Sequence, residues 1–490
     1  MPPNKQHHDH DHPPQPPSTL NLITLNCWGL LHISAQRTPR LAEIGRRLAL
    51  LDPQPDIVCL QECWVSADYE AVRAATRDVL PHGKFYHAGV WGGGLAVLSR
   101  WPIVRSNFFA YPLNGRPSAF YRGDWYVGKG VASARIQFGP GEKDVVDVFN
   151  THTHAPYGTE DSSAYTVHRL AQAWFLSKLL QTACESGNLV LALGDYNMLP
   201  QSHHHRLLTA HSPLRDVWLE LFPDSSLGPV NHPPQAARNL PVPTAQHNLL
   251  VNGATSDGEY NTWRWPKDRR AKLARGDACL VDADTPCPHG KRLDYIFAST
   301  GCSDDDPSSS SPAKSSRSGW VVEAATVGMT ERHPELLCSL SDHFAVCATL
   351  RRHTIDEKKP NEAYDAQLQP RSTPRTLPPE VYAEILHRTR AFAVGEKKQQ
   401  WWRGMHFYAS VIVWVACLVA VWFSPRNYVA FILLLVGSLF LASGVVDGLI
   451  ALLFFSSELR ALKEFEWDMV QAHAAADAAI TDQKDSNEMQ

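Results

Sequence analysis

Two apolar runs near the C-terminus constrain the fold of this chain most. The first, 406–423, contains no Asp, Glu, Lys or Arg, and the second, 428–455, is interrupted only by Asp447. At ~1.5 Å per residue, a helix over the first run is roughly 26 Å long, near the lower end of what a bilayer core requires. The second run is easily long enough. The runs therefore predict a C-terminal two-helix transmembrane hairpin.

The residues around the hairpin favour a membrane over a soluble core. Two buried helices of a soluble domain are the alternative, but the flanking polar stretches leave little protein to bury them. Basic residues precede and follow the runs: Lys397, Lys398, Arg403, Arg460 and Lys463. Because basic residues favour the cytosolic side, both ends are expected there. Asp447 either lies at the exit of a span of about 428–446 or contacts a lipid or a partner.

The chain divides by composition into five segments. We expect a disordered tail at 1–19, a folded domain at 20–351 and a linker with room for a juxtamembrane helix at 352–400. The hairpin follows at 401–456, with spans of about 406–423 and 428–450, and a cytosolic tail at 457–490. Within the folded domain, short apolar runs such as LNLITLNCW mix with segments of helical spacing such as RTPRLAEIGRRLALL. This mixture predicts an α/β layered domain.

Charge and cysteine usage argue against some partners and compartments. The formal net charge of −4 gives no general attraction to nucleic acid, so no nucleic-acid partner is expected. Ten cysteines are scattered without a Cys-x-x-Cys pair, which favours a reducing compartment. The N-terminus lacks the apolar segment of a secretory signal. We expect an integral membrane protein whose folded domain faces the cytosol, on the endoplasmic reticulum, mitochondrial or plasma membrane.

Polar residues follow several of the strand-like runs directly, as in TLNCWG, CLQECW, FNTHTHA, LGDYN, RLDYIF and LSDHF. The residues concerned are Asn26, Glu62, His152, Asp195, Asn197, Asp294, Asp342 and His343. Oxygen donors from Asp, Glu and Asn suit Mg²⁺, whereas thiolates or several histidines suit zinc. A single strand-end Asp is more often a turn cap, and a lone His is usually structural. The indication of a metal-dependent site therefore comes from the whole set.

Three of these residues have roles that follow from their chemistry. Glu62 is the natural Mg²⁺ ligand, because it closes a run too apolar to hold an uncompensated charge. His343 is a credible general base, since an imidazole titrates near neutral pH. Asp294 could fix the tautomer of that imidazole and stabilise its charged form, as the third member of a catalytic triad does.

The order of the motifs resembles the endonuclease/exonuclease/phosphatase superfamily. The series Asn, Gln-Glu, Thr-His, Gly-Asp-x-Asn, Asp-Tyr-Ile-Phe and Ser-Asp-His covers roughly residues 20–351. THTHA, GGGLAVLSRWPI, YRGDWYVGKGV and NTWRW resemble the neutral sphingomyelinase branch, and with the hairpin the chain is similar to inositol phosphosphingolipid phospholipases C. The resemblance implies an α/β fold, a two-sheet β-sandwich flanked by helices, with the hairpin following a phosphodiesterase domain.

The resemblance also implies which residues bind the metal ion and the phosphate. Glu62 would be the Mg²⁺ ligand with Asn26 beside it, and Asp342 would complete or support this metal site. Asn197 would hold a phosphate oxygen.

The remaining matched residues would act on water and on the leaving group. Asp195 would orient the attacking water, and His343, paired with Asp294, would activate it. His152 would stabilise the pentavalent phosphate or aid the leaving oxygen.

Two further positions in the resemblance concern regulation and a second histidine. Asp124 and Lys129 resemble an Asp/Lys pair that switches the animal neutral sphingomyelinases on, with a plain loop salt bridge as the alternative. In THTH, His154 replaces the usual residue before the small alanine. A catalytic share for His154 stays open, with His152 favoured.

The implied activity is Mg²⁺-dependent, phospholipase C-type hydrolysis of a membrane sphingolipid to ceramide and a phosphorylated headgroup, with anionic phospholipids as activators. The headgroup, inositol phosphate or phosphocholine, stays open, and the segment 221–291 is expected to shape that choice. The oligomeric state is open as well. Another phosphoesterase of the same fold, an abasic-site nuclease or an inositol polyphosphate phosphatase, is the alternative. A catalytically inactive membrane scaffold is a third interpretation.

Overall fold

Two six-stranded mixed sheets face each other across an apolar core, as the α/β sandwich prediction requires. The structure, a computed structural model, describes residues 16–158, 165–302, 317–356, 360–369 and 376–488. The predicted disordered tail at 1–19 therefore lies almost entirely outside the described residues.

Strands from both ends of the domain sequence form the first sheet, and strands from its middle form the second. In chain order they are β1 Thr19–Asn26, β2 Ile57–Gln61, β3 His82–Tyr86, β4 Leu95–Ser99, β5 Ile103–Ala110, β6 Gly130–Gln137, β7 Val145–His152, β8 Leu189–Asp195, β9 Arg215–Asp216, β10 Asp294–Ala298, β11 Ser318–Gly328 and β12 Ala345–Thr354. The first sheet has the order β11-β12-β1-β2-β4-β3, and the second β5-β6-β7-β8-β10-β9. Each sheet contains a parallel pair, β1 with β2 and β7 with β8.

Helices cover the outer faces of both sheets. In chain order they are α1 Arg37–Leu50, α2 Ser66–Thr76, α3 Asp124–Val127, α4 Thr166–Cys184, α5 His203–His211, α6 Val217–Leu221, α7 Pro233–Ala236, α8 Ala245–Leu250, α9 Lys267–Ala274, α10 Glu362–Leu368, α11 Pro379–Trp422, α12 Asn427–Leu449 and α13 Ser456–Glu488. A 3₁₀ turn, Thr262–Arg264, precedes α9, and a π-helical segment, Ile450–Phe455, joins α12 to α13.

The central strands are apolar throughout because both of their faces are buried. In β8, Leu191 and Leu193 point into the core between the sheets, whereas Val190 and Ala192 pack outward with Leu176 of α4. Helices α1 and α2 cover the outer face of the first sheet in the same way. Strands buried on both faces read as continuous apolar runs rather than as alternating ones.

A buried amide joins the two sheets next to the ends of the strands. Asn150 in β7 donates from Nδ2 to the backbone oxygens of Leu60 at 3.0 Å and Ala96 at 2.9 Å, both in the first sheet. Its Oδ1 accepts a hydrogen bond from Gln61 Nε2 at 2.8 Å. Because Asn150 and Gln61 are fully buried, these bonds fix one sheet against the other.

The two apolar runs form α11 and α12, which pack antiparallel as a hairpin. Both helices are long and apolar enough to cross a membrane by length and composition. At Gly444 the helices approach so closely that an added Cβ would collide with Ser410, so glycine is required there. Asp447 is bonded to Arg403 and, at 2.7 Å, to His406 Nδ1 of α11, so its polar partners lie within the hairpin itself.

The segments around the hairpin are helical and dock on the folded domain. Helix α11 begins at Pro379, well before the first apolar run, and α13 continues to Glu488 through most of the segment expected to be a tail. An apolar cluster joins α4 to both helices through residues such as Leu170, Tyr382 and Phe465. The segment predicted as a linker therefore includes residues packed against the domain.

Replacing Asn150 with alanine is predicted to destabilise the domain by about 1–3 kcal/mol, because two backbone carbonyls and the Gln61 amide lose buried partners. The unfolding midpoint of the full chain in detergent measures this. Asn107→Ala, on exposed β5 of the same sheet, is the matched control and should leave the midpoint unchanged. Equal midpoints for both variants would contradict the account of the sheet junction.

Candidate active site

The parallel strand pairs bring polar residues of both sheets to one end of the sandwich. Pairing of β1 with β2 sets Asn26 level with the residue that precedes Glu62. Pairing of β7 with β8 sets His152 opposite Asp195, and β10 begins with Asp294 opposite the same aspartate. Each sheet thus contributes half of the predicted site.

Asn26 joins the two halves. Its Nδ2 donates to Asp195 Oδ2 at 2.9 Å and to Glu62 Oε1 at 3.2 Å. Its Oδ1 accepts the backbone N–H of Trp28 at 2.9 Å. Asn26 was predicted to lie beside the metal ion. Here it donates hydrogen bonds to Glu62 and Asp195 and so holds these two carboxylates at a fixed separation.

Glu62 has the properties of a cation ligand. It adopts a left-handed backbone conformation with φ of 53°, and a Cβ at Gly29 would lie 2.3 Å from its carbonyl oxygen. Its side-chain Oε2 is buried without a hydrogen-bond partner among the described residues. Burial and the neighbouring Asp342 raise the pKa of Glu62 to about 7. A hard cation would satisfy the free oxygen and remove the repulsion, so the donor set fits Mg²⁺.

His343, the predicted general base, contacts Asp294, its predicted carboxylate partner. His343 Nδ1 lies 2.8 Å from Asp294 Oδ2, and its Nε2 faces Asp195 Oδ2 at 4.0 Å. Burial alone would lower the pKa of His343, but the carboxylates of Asp294 and Asp195 outweigh burial and hold it well above its ordinary value. Asp294 therefore fixes which nitrogen of the ring is free to face the site.

Two groups of side chains at this end of the fold could bind a cation. Asp195, Asp294 and His343 place one possible ligand atom each within 4.8 Å of one another. In that group Asp294 is already bonded to His343 Nδ1, and imidazole is a poor partner for Mg²⁺. Asp342, whose pKa burial raises, instead adds its charge beside Glu62. The predicted set of Glu62 with Asp342 stays the better fit for a hard cation.

Asp195 occupies the centre of the site. Its Oδ2 lies 3.5 Å from His152 Nε2, and its Oδ1 accepts the backbone N–H of Asn197 at 2.9 Å. Burial raises the pKa of Asp195 to about 6, although His343 lowers it. Asn197 is in a left-handed conformation with φ of 47°, and its Nδ2 lies 3.3 Å from Thr153 O.

The two histidines of THTH face different groups. His152 Nε2 points to Asp195 and lies 3.0 Å from Lys129 Nζ. Burial and Lys129 lower its pKa well below the ordinary value, so the ring is neutral. His154 turns away, with Nδ1 3.2 Å from Asp124 Oδ1. The geometry places His152, and not His154, beside the central carboxylates.

Asp124 and Lys129 do not form an ion pair with each other in the described part of the chain. Lys129 contacts His152 and donates to Thr153 O at 2.9 Å. Asp124 contacts His154 and accepts from the Tyr157 hydroxyl at 2.9 Å. The predicted pair therefore holds the THTH segment from two sides rather than forming the simple loop salt bridge of the alternative.

Two residues that shape the site were not identified from the sequence. Buried Arg40 donates to the backbone oxygens of Trp28 at 2.8 Å and Leu340 at 2.5 Å. Ser341 Oγ donates to Asn26 O at 2.5 Å and accepts the His343 N–H at 3.2 Å. The signal for Arg40 was its inward position in an otherwise amphipathic helix.

The segment 221–291, expected to shape headgroup choice, contacts the loop that carries His343. Asn261 Nδ2 donates to Ser341 O at 3.1 Å, and the Phe344 N–H donates to Thr255 O at 2.8 Å. The Trp263 ring of the NTWRW motif lies 4.8 Å from the Trp28 ring. The segment thus forms one wall beside the catalytic end of the sandwich.

Comparisons with known proteins match the part of the chain that carries these residues to one family. Residues 23–343, from β1 to His343, match the model of the Endonuclease/Exonuclease/phosphatase family. The chain is 35% identical over 448 residues to the inositol phosphosphingolipids phospholipase C of Schizosaccharomyces pombe, covering 91% of this chain and 92% of that protein. Its Saccharomyces cerevisiae counterpart is 31% identical, covering 93% and 90%. Sphingomyelin phosphodiesterase 2 of Rattus norvegicus is 33% identical over 201 residues, covering 41% of this chain and 46% of that protein.

Glu62→Gln is predicted to weaken divalent-cation binding at least tenfold, because it removes the charge from a site carboxylate whose buried Oε2 has no hydrogen-bond partner among the described residues. Titration of the full chain with Mn²⁺, followed by electron paramagnetic resonance, measures this. Glu323→Gln, at a half-buried ion pair with Arg351, is the control.

The same variant has an opposite effect on the metal-free fold. The pKa of the Glu62 carboxyl group rises from 4.5 to about 7 on folding. The fold therefore becomes less stable as the pH increases from 4.5 to about 7. Glu62→Gln should therefore raise the unfolding midpoint in EDTA at pH 8. A lower midpoint together with unchanged Mn²⁺ affinity would remove Glu62 as the cation ligand.

Proposed function

The chain belongs to the endonuclease/exonuclease/phosphatase family, and on that basis we propose that it is a Mg²⁺-dependent phosphodiesterase that cleaves membrane sphingolipids in phospholipase C fashion. The products would be ceramide and the phosphorylated headgroup. One observation carries the proposal: the likeness to two yeast inositol phosphosphingolipid phospholipases C spans at least 90% of each chain, hence both the site and the apolar helices.

Inositol phosphate is the headgroup we favour. The two yeast relatives match over their full architecture, whereas the rat sphingomyelin phosphodiesterase matches over 41% of this chain. Sphingomyelin is the second substrate to test.

The metal ion would be held by Glu62, with Asp342 beside it and Asn26 fixing the Glu62 carboxylate. When bound there, Mg²⁺ would supply positive charge against the phosphate oxygens and would lower the raised pKa of His343, so that the ring can accept a proton. The unpartnered Glu62 oxygen supports this assignment.

His343 would act as the general base. Its Nε2 takes a proton from water held against Asp195, while Asp294 keeps the proton on Nδ1 and stabilises the charged ring. The water oxygen bonds to phosphorus as the bond from phosphorus to the ceramide oxygen breaks; the ceramide oxygen takes up a proton from solvent, and His343 returns its proton to solvent. The 2.8 Å contact of His343 with Asp294 supports these roles.

His152 and Asn197 would stabilise the charge that develops on the phosphate. His152 Nε2, which faces Asp195, accepts from the Lys129 ammonium, so His152 would hold that positive charge toward a phosphate or leaving oxygen, and the Asn197 amide can donate to another phosphate oxygen. Because Lys129 adds a positive charge 3.0 Å from the ring, it strengthens this side of the site.

The apolar hairpin would hold the domain at the surface where its substrate lies. The lipid part of a sphingolipid stays in the bilayer, so a membrane-anchored domain meets it at a high effective concentration. Both ends of the hairpin would face the cytosol, on the endoplasmic reticulum, mitochondrial or plasma membrane.

Anionic phospholipids would act as activators by attracting basic residues near the hairpin. Lys397 and Lys398 are exposed in α11, whereas Arg403 is bonded to Asp447 and is less available. Stimulation by phosphatidylserine should fall in Lys397→Ala/Lys398→Ala but persist in Lys267→Ala/Arg270→Ala on exposed α9. Equal stimulation of the two variants would remove these lysines as the lipid contact.

The proposal predicts ceramide release from inositol phosphoceramide in mixed micelles with Mg²⁺ and none with EDTA. His343→Ala should lower kcat by about 10²–10⁴-fold, the range that a general base contributes. Sphingomyelin, a soluble inositol polyphosphate and abasic DNA are assayed in parallel. Release of phosphate from the soluble substrate, or cleavage of DNA, without ceramide release would favour another phosphoesterase of the same fold.

A further inference from the structure

A buried polar contact joins the last helix to the catalytic domain. Glu458 lies in the first turn of α13, directly after the hairpin, and its Oε1 lies 2.9 Å from His168 Nε2 of α4. The two side chains are only 3% and 0% exposed. Burial and the nearby Arg116 charge lower the pKa of His168 to about 3, so its ring is neutral.

From His168 the contacts lead to the THTH segment. The His168 ring meets the His154 ring edge to face, with centroids 6.1 Å apart, and Tyr165 packs on both rings at 5.0 and 5.2 Å. His154 Nδ1 lies 3.2 Å from Asp124 Oδ1. A continuous row of buried side chains therefore connects Glu458 with Asp124.

The end of this row borders the catalytic residues. His154 is two residues beyond His152, and the Thr153 N–H between them donates to the backbone oxygen of Asp195 at 3.0 Å. Asp124 begins α3, whose Trp125 ring lies 6.4 Å from the Phe454 ring at the base of the hairpin. A displacement of His154 would therefore also displace His152.

Docking of α13 on the domain does not require this polar contact. Leu462, Phe465 and Met469 of α13 are already buried against α4 and α11. A buried ionisable pair is commonly no more stabilising than apolar side chains of the same volume. The Glu458 contact is therefore better explained by its effect on the orientation of His168 than by a contribution to stability.

We propose that Glu458 is a positioning residue, which acts through His168 and His154 on Asp124 and on the catalytic His152. The helix that leaves the hairpin would then set the geometry of the active site. This inference rests on the proposed function, since activity is one of its readouts.

Glu458→Met is the direct test, because methionine fills a similar volume without a hydrogen-bonding group. With inositol phosphoceramide in mixed micelles, kcat should fall about tenfold or more while KM changes little, since a small misplacement of a catalytic group has an effect of this size. The unfolding midpoint should be unchanged or higher. Glu458→Gln, which keeps a partner for His168, should retain most of kcat.

Asp468→Ala is the matched control in the same helix pair. Asp468 in α13 accepts from Trp174 Nε1 at 2.9 Å and from Lys178 Nζ at 2.6 Å in α4, away from His154. Its loss should loosen docking without lowering kcat. Equal losses of kcat in Asp468→Ala and Glu458→Met would reduce Glu458 to a docking contact and overturn the inference.

Hydrogen exchange gives a readout that is independent of turnover. Backbone amides of 122–128 and 152–157 should exchange faster in Glu458→Met than in wild type, and at the wild-type rate in Asp468→Ala. His168→Ala combined with Glu458→Met should be no worse than either single variant, because both break the same row. An inactive wild type would refute the proposed function. If the wild type is active and Glu458→Met has the same kcat and the same exchange rates, this inference alone is refuted.

Discussion

The active site depends on one buried amide that holds two sheets in register. Asn150 bonds two backbone oxygens of the first sheet and the side chain of Gln61, and it stands two residues before His152. Neither sheet carries a complete site: Asn26 and Glu62 end strands of one, and His152 and Asp195 end strands of the other. Because the amide is fully buried, sliding the sheets would leave several polar groups unpaired, and this cost keeps the two half-sites opposed.

The half-sites bring together more negative charge than the fold alone can accommodate. The pKa values of Glu62 and Asp195 are raised to about 7 and about 6 by burial and by neighbouring carboxylates, which marks an unfavourable arrangement in the absence of a counter-charge. His343 and Lys129 compensate part of it. A divalent cation at the free oxygen of Glu62 would compensate the rest, and it would also prepare the site for an anionic phosphodiester. The same repulsion therefore favours binding of the ion, and the bound ion would in turn favour the anionic substrate.

Local sequence signals predicted much of this and long-range contacts supplied the rest. The short apolar runs predicted a layered α/β domain, the family resemblance implied the two-sheet sandwich, and the two long runs predicted the apolar helices; the strand-end polar residues do converge at one end of the fold. Asn150, Arg40 and Ser341 were not identified, because each acts on a backbone group distant in sequence, and no local pattern reports such a partner. The regulatory role of Asp124 and Lys129 stays a prediction, and the contact of each side chain with a different part of THTH could not be read from their spacing in the chain. The juxtamembrane helix allowed for in 352–400 begins at Pro379, but its packing against α4 could not be read from its polar composition.

The hairpin would localise the domain at the membrane, and Phe454 at its base contacts Trp125 of α3. The central chemical claim is that a water activated by His343 attacks phosphorus and that ceramide leaves with its own oxygen. Hydrolysis of inositol phosphoceramide in ¹⁸O-enriched water, with mass analysis of both products, tests it most directly. One ¹⁸O atom in the phosphorylated headgroup and none in the ceramide is the predicted result. Label in the ceramide hydroxyl would mean that carbon–oxygen bond cleavage had occurred, and would contradict the account.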